Sequence, residues 1–520
     1  MRDPNARSSR LPWLAALIAA LLSAGSFLLE GNVGINFSDE GWLWSGLEAF
    51  KQGAIPIRDF HSYDPGRYVW LVPTSYVFGD GVISLRAGCV LFGFIGMWCG
   101  LLAASRISRD WRFLLLVGLA VSAWMQPQYK VFEQAISLMG IYVAVRLIER
   151  PTLRQHALSG GFVGLMAFVG RNHGAYLAAA FILIILYLGR GGWKSLPLRL
   201  LTWGGGVFVG YLPQIAFATF VPGYFSAYLK QLRSDIAIGT NLAKSVPWPW
   251  RIPEEAEGLD ALSAVAEGCF YLALPLGLLT LAIVLFRLPY RTVLQHPVLL
   301  AASCVALTYA HHTFSRADWV HLAHSTPALA LAVIASSAAL HSPKWLPYVT
   351  SSVLLAGGAL AMVPRMSFVS ELREPTGTFV PVVVRGQTLH VHLYSALLLR
   401  LADRVANQLA KPNEPVVFLP HWAGLYPATG RTSPLWETYF VVPSTAEEEA
   451  VTLAAMEKHH VGWVVLQDHR LDDREDLRFR YTNPRTFAYL ERHFRPVEMP
   501  GFPPIATVLR RIESGVTSTE

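Results

Sequence analysis

Cysteine is scarce in this chain and oddly confined: Cys89, Cys99, Cys269 and Cys304 all lie in apolar stretches, and no thiol follows them. A disulfide framework is therefore excluded as the support of the polar parts, and the four read as small core residues. Charge is scarce too, at 15% of 520 residues against 53% hydrophobic, which excludes a disordered chain and argues against a single soluble domain. Long apolar runs are absent only beyond residue 363, so the chain divides in two. After that point no phosphate-binding glycine loop, zinc spacing or Ser-His-Asp order stands out, and no internal repeat is found anywhere.

What is present is a series of apolar runs of membrane-spanning length, for which a helix needs roughly 20 residues. The expected fold class is a polytopic α-helical membrane protein with a C-terminal soluble α/β domain. About eleven transmembrane helices are predicted, at 11–30, 83–104, 112–127, 132–149, 156–170, 174–189, 197–220, 263–286, 297–311, 321–340 and 345–363. The membrane domain is then 1–363, with a first loop at 31–82, and the soluble domain 364–520.

The net charge of +7 would suit a nucleic-acid partner, but in such a chain a basic excess is topological. Arg106, Arg109, Arg112, Arg146, Arg150, Arg190, Lys194, Arg287 and Arg291 fall in alternate loops, whereas Asp39, Glu40, Asp59, Asp64, Glu254, Glu255 and Asp318 fall in the others. The alternation predicts a cytoplasmic N-terminus, an acidic first loop on the outer face and, after an odd number of spans, an extracytoplasmic C-terminal domain. Reading the first segment as a cleaved signal peptide would put the alternation out of phase.

The first loop opens with "SDEGWLWSGLEAFKQG", where Ser38 suits an N-cap and Gly53 a helix stop. It reads as an amphipathic helix on the membrane surface, with Asp39 and Glu40 at its positive end and Trp42 and Trp44 as interfacial anchors. The next stretch, "AIPIRDFHSYDPGRYVWLVPTSYVFG", is too broken by Pro and Gly to span and would dip back toward the bilayer.

The Asp-Glu pair followed by "HSYDPGRY" resembles the first outer loop of polyprenyl-phosphate-sugar-dependent glycosyltransferases of the GT-C fold, which include protein O-mannosyltransferases and the lipid A aminoarabinose transferase. The resemblance implies an inverting transfer of sugar from a polyprenyl-phosphate donor to a glycan or lipid acceptor. By it Asp39 is the base that deprotonates the acceptor, with supporting catalytic roles for Glu40 and Asp64, and with His61 and Arg67 of the same loop on the substrate. Many relatives show Lys-Pro-Pro or His-Pro-Pro where this chain has "YDPGRY", so Asp64 to Arg67 are a variant and the acceptor is not fixed.

Two further clusters face the same side. "FVGRNHGAY" sets Arg171 at a membrane boundary, where a planar guanidinium suits a phosphate. "AHHTFSRADWVHLAHSTPAL" crowds Arg316, Asp318, His321 and His324 into one loop. By resemblance, Arg316 is the donor-phosphate ligand, with Asp318 orienting Arg316 or His321; Arg171 and His321 are placed at the same phosphate. The steps of three between Asp318, His321 and His324 also suit a shared ion, so a divalent metal is the one cofactor left open. The loop at 221–262 adds Tyr224, Tyr228, Lys230, Arg233 and Trp248, a composition that fits a substrate cover or an interfacial loop.

Beyond residue 363, "PVVVR", "EPVVFLP" and "VGWVVLQD" read as strands alternating with helices. The loop "FLPHWAGLYPATGR" resembles the tail domains of the same glycosyltransferases, with Trp422 as a stacking surface for sugar. The rival reading is a transporter or flippase of lipid-linked saccharides, which predicts polar groups within spans and broken helices near the midplane.

Overall fold

The computed structural model describes residues 4–238, 244–340 and 343–512. Each of the eleven predicted spans coincides with a helix, the one at 112–127 only as far as Ser122. Among the described residues eight helices are long and apolar enough to cross a membrane: Leu11–Glu30, Val82–Ala104, Gln128–Glu149, Arg171–Gly189, Gly258–Arg287, Pro297–Ser315, Trp319–Ala339 and Leu346–Arg365. The predicted span at 197–220 is a broken pair, Trp193–Gly210 and Leu212–Phe220, bent by 52°. The remaining two, Trp111–Ser122 and Leu153–Val169, are shorter than a full crossing and begin at side-chain caps from Asp110 and Thr152.

The first loop forms the expected helix, Asp39–Lys51, preceded by Ser38 and ended at Gly53, whose φ of +92° suits a glycine. The tryptophans of this helix, expected as interfacial anchors, are bonded and packed within the protein. Trp44 is 1% exposed and donates to the Asp80 carbonyl, while Trp42 donates to the His61 carbonyl and packs on Tyr63. The reason is a cover: the C-terminal region sits on the loop so closely that a Cβ on Gly41 would lie 2.4 Å from the Gly424 nitrogen. The stretch expected from its Pro and Gly residues not to span forms a second short helix, Pro65–Phe78.

The C-terminal region holds a hairpin, β1 (Phe379–Val384) with β2 (Gln387–His392), and a four-stranded sheet. The hairpin turns on Arg385 and Gly386, both at positive φ, which matches the right-handed twist of its strands. The sheet runs in the order β3 (Val416–Leu419), β4 (Trp463–Leu466), β6 (Thr507–Arg511), β5 (Phe494–Pro496), with β3 parallel to β4 and the other pairs antiparallel. The three predicted runs are β1, β3 and β4. Strands β3 and β4 are buried on both faces: Phe418 and Val465 join the core shared with the membrane helices, while Val417 and Val464 face a second core.

The first loop, the 316–318 loop and the helix Tyr224–Ile238 all touch the C-terminal region, through Gly424 to Phe37, Arg316 to Asp472 and Ser234 to Glu448. They therefore share one face of the helix bundle with it, as the charge alternation requires. Residues 239–243 of the predicted 221–262 loop lie outside the described residues.

Candidate active site

A cavity of about 710 Å³ opens where the helix bundle meets the C-terminal region. Its floor is formed by the ends of membrane helices, which bring Lys130, Glu133, Arg171, His173, His312, His321 and His324. One side is the first loop, with Trp42, His61, Tyr63, Asp64 and Arg67; the other is the segment from Trp436 to Ser444 and the helix Ala446–Lys458. The floor is cationic and imidazole-rich, and the C-terminal wall is aromatic and apolar.

Asp39 lies just behind this lining, bonded to Lys130 of the floor and to Tyr439 of the C-terminal wall. Its side chain is 27% exposed; one carboxylate oxygen is 3.0 Å from Lys130 Nζ, and the other accepts from the Tyr439 hydroxyl at 3.2 Å. Asn36 Oδ1 holds its backbone N–H at 2.9 Å. Glu40, next in sequence, goes elsewhere. It is fully buried and paired through both oxygens with Arg86, at 2.6 and 2.8 Å, so it does not line the cavity. Adjacent residues on a helix point about 100° apart, and Asp39, not Glu40, is the one bonded to side chains of the cavity wall.

Asp64, Arg67 and Arg171 do come together, with Asp64 at the start of the helix Pro65–Phe78. Asp64 accepts from the Arg171 backbone N–H at 2.8 Å, and its carboxylate is 3.3 Å from Arg171 Nε. Arg67, 4% exposed, reaches Glu133 at 2.8 Å through Nη2 and the Val169 carbonyl through Nε. Its guanidinium lies 4.3 Å from the Tyr63 ring centroid. Arg67 Nη1, Glu133 Oε2, His173 Nδ1 and His324 Nε2 are buried with no hydrogen-bond partner among the described residues. Burying such groups unpaired is costly, so a polar occupant at this end would lower that cost.

The histidines form a connected group. Asp318 caps the helix Trp319–Ala339, accepting from the backbone N–H of His321, and meets the His321 ring at 2.7 Å. Burial by itself would raise the Asp318 pKa, but the two His321 hydrogen bonds and the Arg316 charge prevail and hold it below the usual carboxylate range. His312 Nε2 is 2.8 Å from His324 Nδ1. Among the described residues no three or more His, Cys, Asp or Glu side chains are placed to hold a metal ion, so no metal is assigned to the site.

Arg316, expected at the donor phosphate, is clamped between Asp318 at 3.0 Å and Asp472 at 2.7 Å and is not in the cavity wall. Trp422, expected to stack on sugar, is 5% exposed and also outside the wall. Trp436 stands there instead, stacked at 19° on His61, whose Nδ1 is 2.7 Å from Glu437. The residues sequence reasoning missed are Lys130, Glu133, His173, Trp436, Glu437 and Tyr439. Lys130 precedes and Glu133 opens the predicted span at 132–149, where two ionisable residues at the head of an apolar run were the available signal; nothing local marks the 436–439 segment.

No family model and no curated protein matches the chain. Among solved structures it is similar to ArnT from Cupriavidus metallidurans in the apo state, at 14% identity and a TM-score of 0.48 over 96% of this chain and 97% of that one. The same protein bound to undecaprenyl phosphate gives 14% and 0.42, over 96% and 98%. The Archaeoglobus fulgidus oligosaccharyltransferase complex with Zn and sulfate gives 15% and 0.44, over 88% and 67%. Each TM-score is below 0.5, and the chemistry of the site rests on its own residues.

Proposed function

We propose that this chain is a membrane glycosyltransferase that moves a sugar from a polyprenyl-phosphate donor to a glycan or lipid acceptor on the face that carries the C-terminal region. That face is extracytoplasmic if the N-terminus is cytoplasmic, as the basic loops suggest. The observation that carries the reading is the position of Asp39, a partly exposed carboxylate between a cationic floor in the membrane ends and an aromatic wall. The proposal divides the chain as 1–363 and 364–520, with chemistry in the first part and a wall of the site in the second.

The donor's phosphate belongs at the cationic floor, near Arg67, Arg171, Lys130 and His321, and its tail among the helices. The acceptor O–H bond breaks as its proton passes to Asp39, the oxygen bonds to the anomeric carbon, and the anomeric C–O bond breaks with its electrons leaving on the phosphate. One displacement inverts the centre. Positive groups aimed at the phosphate stabilise charge that grows as it leaves. Asp64 holds Arg171, and Glu40 has a structural part. Arg316, neutralised by two carboxylates, ties the C-terminal region to the bundle.

A transporter or flippase of lipid-linked saccharides is the second reading, favoured by the broken helix pair and by Glu133, His173, His312 and His324 within spans. Those four side chains lie within the last two turns at one end of their helices, however, and the broken pair contributes no wall of the cavity. Both points support chemistry at one surface. The test is label transfer from radiolabelled polyprenyl-phosphate sugars to membrane glycan extract by wild-type protein and Asp39→Ala. The proposal expects transfer by wild type and none by the variant, with donor binding retained. Donor binding without transfer or sugar release by either protein would support the transporter.

A further inference from the structure

We infer that Tyr439 is a positioning residue for Asp39, so that the C-terminal region completes the catalytic centre of the membrane part as well as covering it. The inference rests on Asp39 being the base. Its geometric ground is the carboxylate's two partners, Lys130 on one oxygen at 3.0 Å and the Tyr439 hydroxyl on the other at 3.2 Å. A carboxylate with one partner can rotate about its Cβ–Cγ bond, but with one on each oxygen its plane is fixed. The lone pairs left over are then held in one direction. Orientation of this kind matters because a reacting pair misplaced by about 1 Å can cost on the order of a hundredfold in rate.

Tyr439 is itself firmly held. Glu437 accepts the Tyr439 backbone N–H at 2.8 Å with one carboxylate oxygen and pairs with His61 of the first loop through the other. The Tyr439 ring rests against Trp42 and His421, at centroid distances of 5.7 and 5.9 Å. Burial and the Asp39 charge hold the phenol well above its ordinary pKa, so it stays a hydroxyl and donates. The Asp39–Tyr439 bond joins residues 400 positions apart, which is why no local motif shows it.

Tyr439→Phe removes the hydroxyl and keeps the ring contacts. The expected result is a kcat lowered about tenfold, the value of one oriented hydrogen bond, with KM for donor and acceptor changed less than twofold. Gln387→Ala is the control: it removes bonds from the C-terminal region to Ile83 and Ser84, away from the cavity, and should lower Tm while leaving kcat unchanged. Wild-type kcat in Tyr439→Phe, or an equal kcat loss in Gln387→Ala, would overturn the inference. If Asp39→Ala keeps turnover, the base is misassigned and Tyr439 falls with it; if Asp39→Ala is inactive while Tyr439→Phe turns over normally, Tyr439 alone falls.

Discussion

Glu40 and Arg86 form a two-pronged ion pair with Glu40 fully enclosed, one residue along the chain from a carboxylate bonded to two side chains of the cavity wall. The other Arg86 donors reach the carbonyls of Glu30, Gly31, Val33 and Gly34, so this single guanidinium ties the end of the first span to the start of the first-loop helix. Removing one member of a buried pair leaves the other charge uncompensated, at a cost of roughly 3–5 kcal/mol.

Glu40→Ala should therefore fail on stability, with a sharply lowered Tm in detergent and little recoverable protein. Asp39→Ala, whose carboxylate is partly exposed, should melt near wild type and fail only in turnover. Side-by-side melting curves of the two variants check this. Equal stability in both would mean that the Glu40–Arg86 pair does not hold the loop.

Arg67 combines two roles that a double substitution can separate. Its pairing with Glu133 is buried, so Arg67→Met should destabilise by several kcal/mol. Arg67→Met combined with Glu133→Gln removes both charges and should regain most of the lost Tm. Affinity for polyprenyl phosphate, measured by equilibrium binding, should stay about tenfold below wild type in the double variant, because the cation has not returned. Recovery of affinity together with Tm would remove Arg67 from the phosphate site.

The membrane part was legible because its signals are local: apolar length sets each span, and loop charge sets which loops share a face. The first-loop helix was legible for the same reason, from Ser38 to Gly53. Its environment was not, since the burial of Trp44 and the Gly41 contact depend on a segment hundreds of residues away. Trp422 and Trp436 illustrate the limit. Both are tryptophans of the C-terminal region, yet Trp422, two residues from the Gly424 contact with the first loop, is enclosed while Trp436 stands in the wall. Asp39 and Glu40 show the same limit within a single turn, where Arg86 pairs with Glu40 and Asp39 is left to Lys130 and Tyr439 of the cavity wall.

The loop that makes that close approach carries a built-in pH dependence. His421 is 5% exposed and donates from Nε2 to the Phe440 carbonyl at 2.8 Å, with the His469 ring 5.6 Å away. Burial, helped by His469, lowers the His421 pKa from 6.5 to about 4. In the unfolded chain the same imidazole gains its proton near its ordinary value, so between these two limits the unfolded state binds more protons. The stabilisation is thus fully present above about pH 6.5 and is lost as the pH falls toward 4, at up to about 1.4 kcal/mol per pH unit and on the order of 3 kcal/mol in all. His421→Gln keeps a donor for the Phe440 carbonyl and does not titrate, so its Tm should fall less steeply than wild type over that window. Other titrating groups, His469 and Asp318 among them, are common to both proteins and cancel in the difference. Parallel Tm curves for wild type and His421→Gln between pH 7 and 4 would show that His421 is not the group responsible.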